Sequence, residues 1–246
     1  MNKTLEEQIV NYCKEYNIPS EYLFEILEDQ KVVPMIRGKA CEFNAYLFLK
    51  EQLEPTHEWY VQKLNLNAQQ GLYDEDVTLT HRKTGIRLKV EVKNAVRGSF
   101  STGKRCRILR VPHFKVKCHK SRSNLALADS TNDRYLIDEF DVIISNTLNA
   151  LYIGGTIDGL QITKDEELLD VLYSHYQVNN IRELENACAN DWRFAIPQEI
   201  SEDNKTIPRT PYVRLSADLK WVTIDKLCDK LSHIINTKWT NRKQYS

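Results

Sequence analysis

The chain has 246 residues and balances 34 Lys and Arg against 34 Asp and Glu, so its formal net charge is zero. Its composition, with 41% hydrophobic and 28% charged residues, is that of an ordinary globular protein. The sequence has no apolar run long enough to cross a membrane and no signal-peptide pattern, so we expect a cytoplasmic protein without membrane partners. Six scattered cysteines without a C-x-x-C pair favour reduced thiols over disulfides or a zinc site.

Hydrophobic periodicity predicts helices first, then strands, then helices again. The helices of the N-terminal part are predicted over 3–17, 20–28 and 39–53. A strand over 58–66 and a hairpin come next, and further strands are predicted over 105–111, 113–119, 135–145 and 149–153. The C-terminal part is predicted to contain helices over 164–174, within 179–193 and over 219–236, with a loop at 196–211.

This order of elements predicts an α/β (α+β) fold with a central mixed β-sheet flanked by helices. No linker is long enough to require a second domain, so we expect a single domain over 1–246. Its parts would be a helical N-terminal part at 1–55, a sheet core at 56–160, and a C-terminal part of helices and loops at 161–246.

The hairpin predicted over 77–92 has one wholly apolar face. The register that pairs Leu79 with Leu88 also pairs Val77 with Val90 across the two strands. A slip by one residue would lose this pairing, so the apolar face fixes the register.

The same register brings three charged side chains together at the open end of the hairpin. Asp76 lies directly opposite Glu91, and Lys93 lies on the same face two residues further along. Two facing carboxylates repel each other unless a cation lies between them, and Mg²⁺ prefers oxygen ligands and completes its shell with water and substrate phosphate. A lysine beside the ion can orient or deprotonate the attacking water, or stabilise the oxyanion. The group is therefore suited to hydrolysis of a phosphodiester.

The pattern Asp76…Glu91-Val92-Lys93 resembles the PD-(D/E)xK nuclease superfamily, whose best-known members are type II restriction endonucleases. Glu75 stands where the superfamily usually has a proline. The resemblance implies a restriction-endonuclease-like core in which Asp76 and Glu91 hold the metal, together with the carbonyl of Val92. Lys93 would act on the attacking water.

The resemblance extends over roughly residues 37–145 and includes a helix before the hairpin. The segment at 37–43 looks like a superfamily helix that points a glutamate at the site, and Glu42 is the fourth candidate catalytic residue. The implied cofactor is Mg²⁺, with Mn²⁺ expected to substitute and Ca²⁺ expected to bind without supporting cleavage. The resemblance also implies a bacterial enzyme that cleaves double-stranded DNA as a homodimer, with a companion DNA methyltransferase for the same site.

The distribution of charge favours a polyanionic partner although the net charge is zero. Residues 82–122 contain fourteen Lys and Arg and one acidic residue, whereas 129–170 contain ten acidic residues. A basic block directly after the active-site strand is where a phosphate backbone would lie. The predicted DNA-binding residues are polar or basic side chains of this block, namely Arg97, Ser99, Lys104, Arg105, Arg107, Lys115, Lys117, His119, Lys120, Arg122 and Asn124. For base reading we favour 119–124, and second the loop at 201–214 with Arg209 and Arg214.

Other interpretations remain open. An E-x-K tripeptide is common on solvated strand edges, and a second formal match exists at Asp203…Asp218-Leu219-Lys220, although Asp203 lies in a polar segment broken by prolines. The same fold serves Holliday-junction resolvases and DNA-repair nucleases, and a non-catalytic basic nucleic-acid-binding protein would carry the same charges. We interpret the sequence as that of a Mg²⁺-dependent, sequence-specific type II restriction endonuclease.

Overall fold

The computed structural model of the chain describes residues 3–63, 75–119, 133–156 and 159–244. It divides into two compact units, 1–40 and 41–246. In the described ranges, no helix is both long and apolar enough to cross a membrane.

The first unit is helical. It contains helices α1 (Leu5–Glu15) and α2 (Leu23–Glu28) and the beginning of α3 (Val33–Leu53). Helix α1 begins with a capping box, because the Thr4 hydroxyl accepts from the Glu7 amide at 3.2 Å and the Glu7 carboxylate accepts from the Thr4 amide at 2.9 Å. The predicted helices over 3–17 and 20–28 are therefore confirmed.

The second unit contains the rest of α3 and the sheet. Its strands are β1 (Trp59–Gln62), β2 (Val77–His81), β3 (Arg87–Asn94), β4 (His113–Lys115), β5 (Val142–Asn146), β6 (Tyr152–Thr156), β7 (Gly159–Ile162), β8 (Trp192–Ala195), β9 (Tyr212–Arg214) and β10 (Trp221–Val222). Its further helices are α4 (Leu148–Leu151), α5 (Glu166–Tyr176), α6 (Ile181–Asn190), α7 (Pro197–Ile200) and α8 (Leu227–Gln244).

Within the described residues, six strands form the main sheet in the order β1-β2-β3-β5-β8-β10. Strands β3 and β5 run parallel, and the other neighbours run antiparallel. The sheet is therefore mixed, as the sequence predicts. Strands β4 and β9 form a separate ribbon, and so do β6 and β7.

Each face of the sheet has its own hydrophobic core. On one face, α3 and α8 pack against the apolar side of β2 and β3, with Ala45, Leu49, Leu88 and Leu231 among the buried residues. On the other face, α5, α6 and the β4-β9 ribbon bury a second cluster around Ile143. The central mixed sheet is flanked by helices, which confirms the predicted α+β class. The three-part division of one domain at 55 and 160 stays a prediction.

The predicted register of the hairpin is confirmed. Val77 lies opposite Val90 and Leu79 opposite Leu88, and all four side chains are buried in the first core. The turn is closed at Gly85, whose φ of 66° lies in the left-handed region that glycine tolerates.

Helix α3 begins six residues earlier than the predicted 39–53. Pro34 follows the first residue of the helix, Val33, where its missing N–H costs no helical hydrogen bond. Gly38, the residue before the predicted start, lies inside the helix, and a Cβ there would meet no described atom within 4 Å. A single glycine inside a helix lowers helix stability without ending the helix.

The strand predicted over 105–111 is wrong, because those residues contain no strand. The strand predicted over 135–145 is wrong in extent. In the described part of the chain around them, β4 begins only at His113 and β5 only at Val142. The segment before β5 turns instead, because the Glu139 carboxylate accepts from the Leu136 amide at 3.0 Å. The predicted strand over 113–119 keeps its alternation beyond β4, with Phe114, Val116 and Cys118 fully buried.

Further along the chain, short elements replace longer predicted ones. The strand predicted over 149–153 is divided between α4 and β6, and the end of 179–193 is the buried strand β8. Strand β8 escapes hydrophobic pattern analysis because it contains a buried arginine, Arg193, which is paired with Asp191 at 2.7 Å. The predicted loop at 196–211 contains α7, and the helix predicted from residue 219 begins only at Leu227.

Candidate active site

Asp76 lies immediately before β2, at the end of the hairpin opposite the turn. Its side chain is 9% exposed, and its Oδ2 accepts a hydrogen bond from the backbone amide of Val92 at 2.8 Å. Because Val77 pairs with Val90, the next pair along the ribbon brings Asp76 to the level of Glu91. The hairpin therefore assembles the two carboxylates as the sequence predicts.

Glu91 and Lys93 project from the same face of β3 and form an ion pair of 2.5 Å. Lys93 also donates to the hydroxyl of Tyr135 at 2.8 Å, and its ammonium lies 4.7 Å from the centre of that ring. Burial lowers the pKa of Lys93, but Glu91 and Tyr135 outweigh burial, and the pKa lies above its usual range. Lys93 is therefore a fixed, charged ammonium.

Asp76 has an unusual protonation equilibrium. Burial, followed by repulsion from the carboxylates of Glu91 and Glu42, raises the pKa of Asp76 to about 7. The Val92 hydrogen bond and the charge of Lys93 act in the opposite direction but do not outweigh these causes. A bound cation would stabilise the ionised form of Asp76 against both burial and repulsion, and would therefore lower its pKa.

Glu42 lies on α3 and is engaged by a lysine. The Lys63 ammonium is 2.7 Å from Oε2 of Glu42 and 3.3 Å from the backbone carbonyl oxygen of Asp76. It lies 5.0 Å from the centre of the Phe43 ring, and the Lys63 side chain is only 10% exposed. The structure thus brings Glu42 to the site through Lys63, which also contacts Asp76.

Sequence reasoning missed two residues of this site, Lys63 and Tyr135. Alternation along β1 puts residue 63 on the same face as the buried Trp59 and Val61, so a lysine at an inward-facing strand position was a usable signal. Tyr135 has no such signal. It reaches Lys93 from a segment 42 residues away that is neither helix nor strand.

Glu75, which replaces the usual proline, does not belong to the catalytic group. Its carboxylate accepts from the Thr78 hydroxyl at 2.7 Å and lies 3.5 Å from Arg87 and 3.6 Å from Lys89. It therefore holds the beginning of β2 against β3.

The second formal match is not assembled. The Asp203 carboxylate accepts from the amides of Lys205 and Thr206, at 2.8 and 2.6 Å, and Asp218 accepts from the Lys220 amide at 2.8 Å. These carboxylates cap their own loops, in line with the preference for Asp76 and Glu91.

Strand β4, in the basic block, and strand β9, in the loop segment at 201–214, are neighbours in the structure, whereas only His119 of the segment at 119–124 lies among the described residues. His113 pairs with Arg214 and Lys115 with Tyr212 across β4 and β9, and we call this pair of strands, extended to Lys117, the basic ribbon. Its inner face is buried through Phe114. The ribbon adjoins the end of β3, because the Lys117 amide donates to the Asn94 carbonyl at 3.0 Å. Basic side chains therefore begin where the active-site strand ends.

The predicted DNA-binding residues occupy different environments. Arg97, Lys104, Arg105, Arg107 and Lys117 are exposed, and Ser99, Lys115 and His119 are half-buried. The Ser99 hydroxyl accepts from the Lys115 amide at 3.1 Å, and Lys104 pairs with Glu167 at 2.5 Å on the surface. The remaining candidates, Lys120, Arg122 and Asn124, lie outside the described residues. As DNA contacts, all of them stay predictions.

The donor set is compatible with a hard divalent ion. Among the described residues, no three His, Cys, Asp or Glu side chains are placed to share a metal. Mg²⁺ does not require three, since it commonly uses one or two carboxylates and completes its shell with water and substrate phosphate. Asp76 and Glu91 supply two such groups beside each other. The carbonyl of Val92 stays a predicted third ligand.

Comparisons with known proteins give little further support. No protein-family model and no curated protein matches the sequence. A bacterial homing endonuclease, I-Ssp6803I, is similar to this chain in structure, with 15% sequence identity and a TM-score of 0.35. The alignment covers 89% of this chain and 99% of the other. A TM-score this low supports no inference about function. The functional assignment therefore rests on the residues of the site.

Proposed function

We propose that this protein is a metal-dependent endonuclease that hydrolyses phosphodiester bonds in double-stranded DNA. The observation that carries the proposal is the arrangement of Asp76 against the Glu91-Val92-Lys93 segment. A buried carboxylate with a raised pKa faces a second carboxylate, and a fixed ammonium stands beside them. Perturbed carboxylates of this kind concentrate at functional sites.

Asp76 and Glu91 would hold a magnesium ion, with the Val92 carbonyl as a further ligand. The ion would lower the pKa of a bound water and stabilise negative charge on the phosphate oxygens. Asp76 is oriented for this by the Val92 amide, which fixes one carboxylate oxygen and leaves Oδ1 as the second donor. Glu91 is held by Lys93 through Oε1 and is also hydrogen-bonded to Tyr135, and it would turn a carboxylate oxygen to the ion.

Lys93 would act as a hydrogen-bond donor to the scissile phosphate or the attacking water. Its pKa lies above the usual range, so the ammonium form predominates and a role as general base is not supported. The Tyr135 hydroxyl accepts from the same ammonium and keeps it oriented. An ammonium held in this way stabilises the charge that develops in the transition state.

The DNA backbone would run from the active site along the basic ribbon. Lys117 is exposed, and the ribbon is joined to the end of β3 at Asn94. Arg97 and Arg105 are exposed on the loop that connects β3 to β4. These charges can neutralise phosphates next to the scissile bond.

We further propose that cleavage is sequence-specific, as in type II restriction endonucleases. Mg²⁺ as the natural cofactor, a homodimer that cuts both strands, and a companion DNA methyltransferase all follow from the resemblance of the Asp76…Glu91-Val92-Lys93 pattern.

The test is cleavage of a mixed-sequence plasmid by the purified protein with Mg²⁺, with Ca²⁺ and with EDTA. The variants are Asp76→Asn and Lys93→Met. Matched controls are Asp203→Asn and Lys220→Met, which make the same changes in the second formal match. We expect cleavage with Mg²⁺ only, lost in both site variants and kept in both controls.

The form of the products separates the alternatives. Discrete bands support a sequence-specific enzyme, whereas selective cleavage of four-way junctions supports a resolvase or repair nuclease. Uncut DNA in every condition, together with binding that weakens as salt rises, would leave a nucleic-acid-binding protein and reject the catalytic assignment.

A further inference from the structure

The Lys63 ammonium lies among oxygen atoms of the site. Its ammonium lies between the Glu42 carboxylate, at 2.7 Å, and the backbone carbonyl oxygen of Asp76, at 3.3 Å. Carboxylate and carbonyl oxygens are the donors that a hard divalent ion uses. The ammonium therefore satisfies a pair of oxygen donors that belongs to two different elements, α3 and the start of β2.

The surroundings of Lys63 hold the ammonium there. The side chains of Lys63 and Glu42 are 10% and 13% exposed, so water screens their charges little. The Phe43 ring, with its centre 5.0 Å from the ammonium, adds a cation–π contact. A lysine held by three partners at low exposure is a fixed charge.

The two carboxylates beside Asp76 therefore differ in what they can offer a metal. Glu91 faces Asp76 across the hairpin, one residue pair beyond Val77 and Val90. Lys93, the partner of Glu91, has the Tyr135 hydroxyl as a second acceptor and can remain in place when Glu91 turns to an ion. Lys63 contacts Asp76 as well as Glu42, so a second ion there would have to displace it.

We propose that Lys63 takes the place of a second divalent cation, so that the site binds a single metal ion through Asp76 and Glu91. In two-metal sites the ions lie about 3.5–4 Å apart and share ligands. Here a second ion beside Asp76 would meet the positive charge of Lys63 at short range, where repulsion is strong because screening is weak. This inference rests on the proposed function, since it presupposes that Asp76 and Glu91 bind a metal.

The experiment counts Mn²⁺ ions bound per chain by electron paramagnetic resonance of the free ion, without DNA and without turnover. The wild-type protein should bind about one ion. Lys63→Met removes the charge and keeps the apolar stem, and it should bind about two ions because Glu42 and Asp76 can then share the second. Lys63→Arg keeps the charge and should remain at about one. The double variant Lys63→Met with Glu42→Gln should return to about one, because the second site has lost its carboxylate.

The outcomes test two proposals separately: the role of Lys63, and the metal site on which the proposed nuclease depends. Two ions in the wild-type protein, or a count that does not rise in Lys63→Met, would overturn the role of Lys63 and leave the proposed nuclease intact. No bound ion in the wild-type protein would overturn the metal site itself, and the proposed function with it. Thermal unfolding verifies that each variant is folded, and Lys63→Gln replaces Lys63→Met if the latter is not.

Discussion

The backbone amide of Val92 donates a 2.8 Å hydrogen bond to the Asp76 carboxylate, which ties the residue that begins β2 to the strand that carries Glu91 and Lys93. Burial and the neighbouring carboxylates nevertheless raise the pKa of Asp76 from 3.8 to about 7. The folded protein therefore binds this proton more tightly than the unfolded chain. Stability due to Asp76 is greatest below pH ~4 and is lost as pH rises towards about 7.

Asp76→Asn should therefore stabilise the protein at pH ~8, where the wild-type carboxylate is ionised. The expected gain is on the order of 2–4 kcal/mol, since each pKa unit corresponds to about 1.4 kcal/mol. The gain should vanish as pH falls towards ~4, because both side chains are then neutral. Urea unfolding of both proteins across this range, in EDTA, measures it. A variant that is less stable than the wild type at pH ~8 would contradict the assigned burial and repulsion.

Divalent ions should reverse this order of stability. Mg²⁺ binds only the folded site, so the free energy of unfolding of the wild type should rise by about 1.4 kcal/mol per tenfold excess of the ion over its Kd. Asp76→Asn has lost a charged ligand and should show little response. The measurement is thermal unfolding against Mg²⁺ concentration, with Asp203→Asn as the matched control. An equal response in Asp76→Asn would place the binding site elsewhere.

Substitutions of Glu91 and Lys93 should have strongly non-additive effects on the free energy of unfolding, because the two side chains form an ion pair. Lys93→Met leaves a nearly buried carboxylate without its ammonium and should cost on the order of 3 kcal/mol. Glu91→Gln should also destabilise, because the nearly buried ammonium of Lys93 then loses its charged partner. The double variant should be more stable than the sum of the two single costs, since no charge is left alone. Urea unfolding in EDTA provides this cycle, and additive costs would contradict the pairing.

The sequence specified the hairpin and its three charged residues because period-two alternation and apolar pairing act over a few residues. Val77 and Leu79 can satisfy their burial with Val90 and Leu88 in one register, and that register brings Asp76 to Glu91. The parallel neighbour β5 was predicted as part of a longer strand for the same reason, since Val142 to Ile144 are all buried.

Other parts of the site depend on contacts that no local pattern encodes. Tyr135 reaches Lys93 from an irregular segment, and its position depends on the hydrogen bond from the Ile207 amide to its carbonyl at 2.9 Å. Arg193 can be buried in β8 because Asp191 neutralises it. Alternation along β1 marks Lys63 as inward-facing, but no local pattern shows that its partner is Glu42, 21 residues away. A backbone hydrogen bond positions Tyr135, and ion pairs hold Arg193 and Lys63.

Gly103 should be indispensable to the loop that leads into the basic ribbon. Its φ is 83°, and a Cβ would lie 2.5 Å from the Val111 nitrogen, which is too close for any rotamer to avoid. Gly103→Ala should therefore destabilise the protein by more than the ~1–2 kcal/mol of a left-handed alanine. Gly85→Ala is the matched control, because its φ of 66° is similar but nothing lies within 4 Å of the added carbon. Equal losses in urea unfolding would show that the contact with Val111 is unimportant.

Lys117 should contribute a phosphate contact and no sequence preference. It is exposed on the basic ribbon, directly beyond the end of the strand that carries Lys93. Lys117→Gln should weaken binding of all DNA sequences similarly and reduce the slope of log affinity against log salt by about 0.9. Lys83→Gln is the control, since Lys83 is equally exposed but lies in the turn at the other end of the hairpin, and it should leave the slope unchanged. Fluorescence anisotropy of labelled duplexes in EDTA, between about 50 and about 200 mM salt, gives both slopes. Equal slopes for the two variants would mean that the DNA backbone does not run along the basic ribbon. The path of the DNA from Lys93 would then be expected to follow the loop with Arg97 and Arg105.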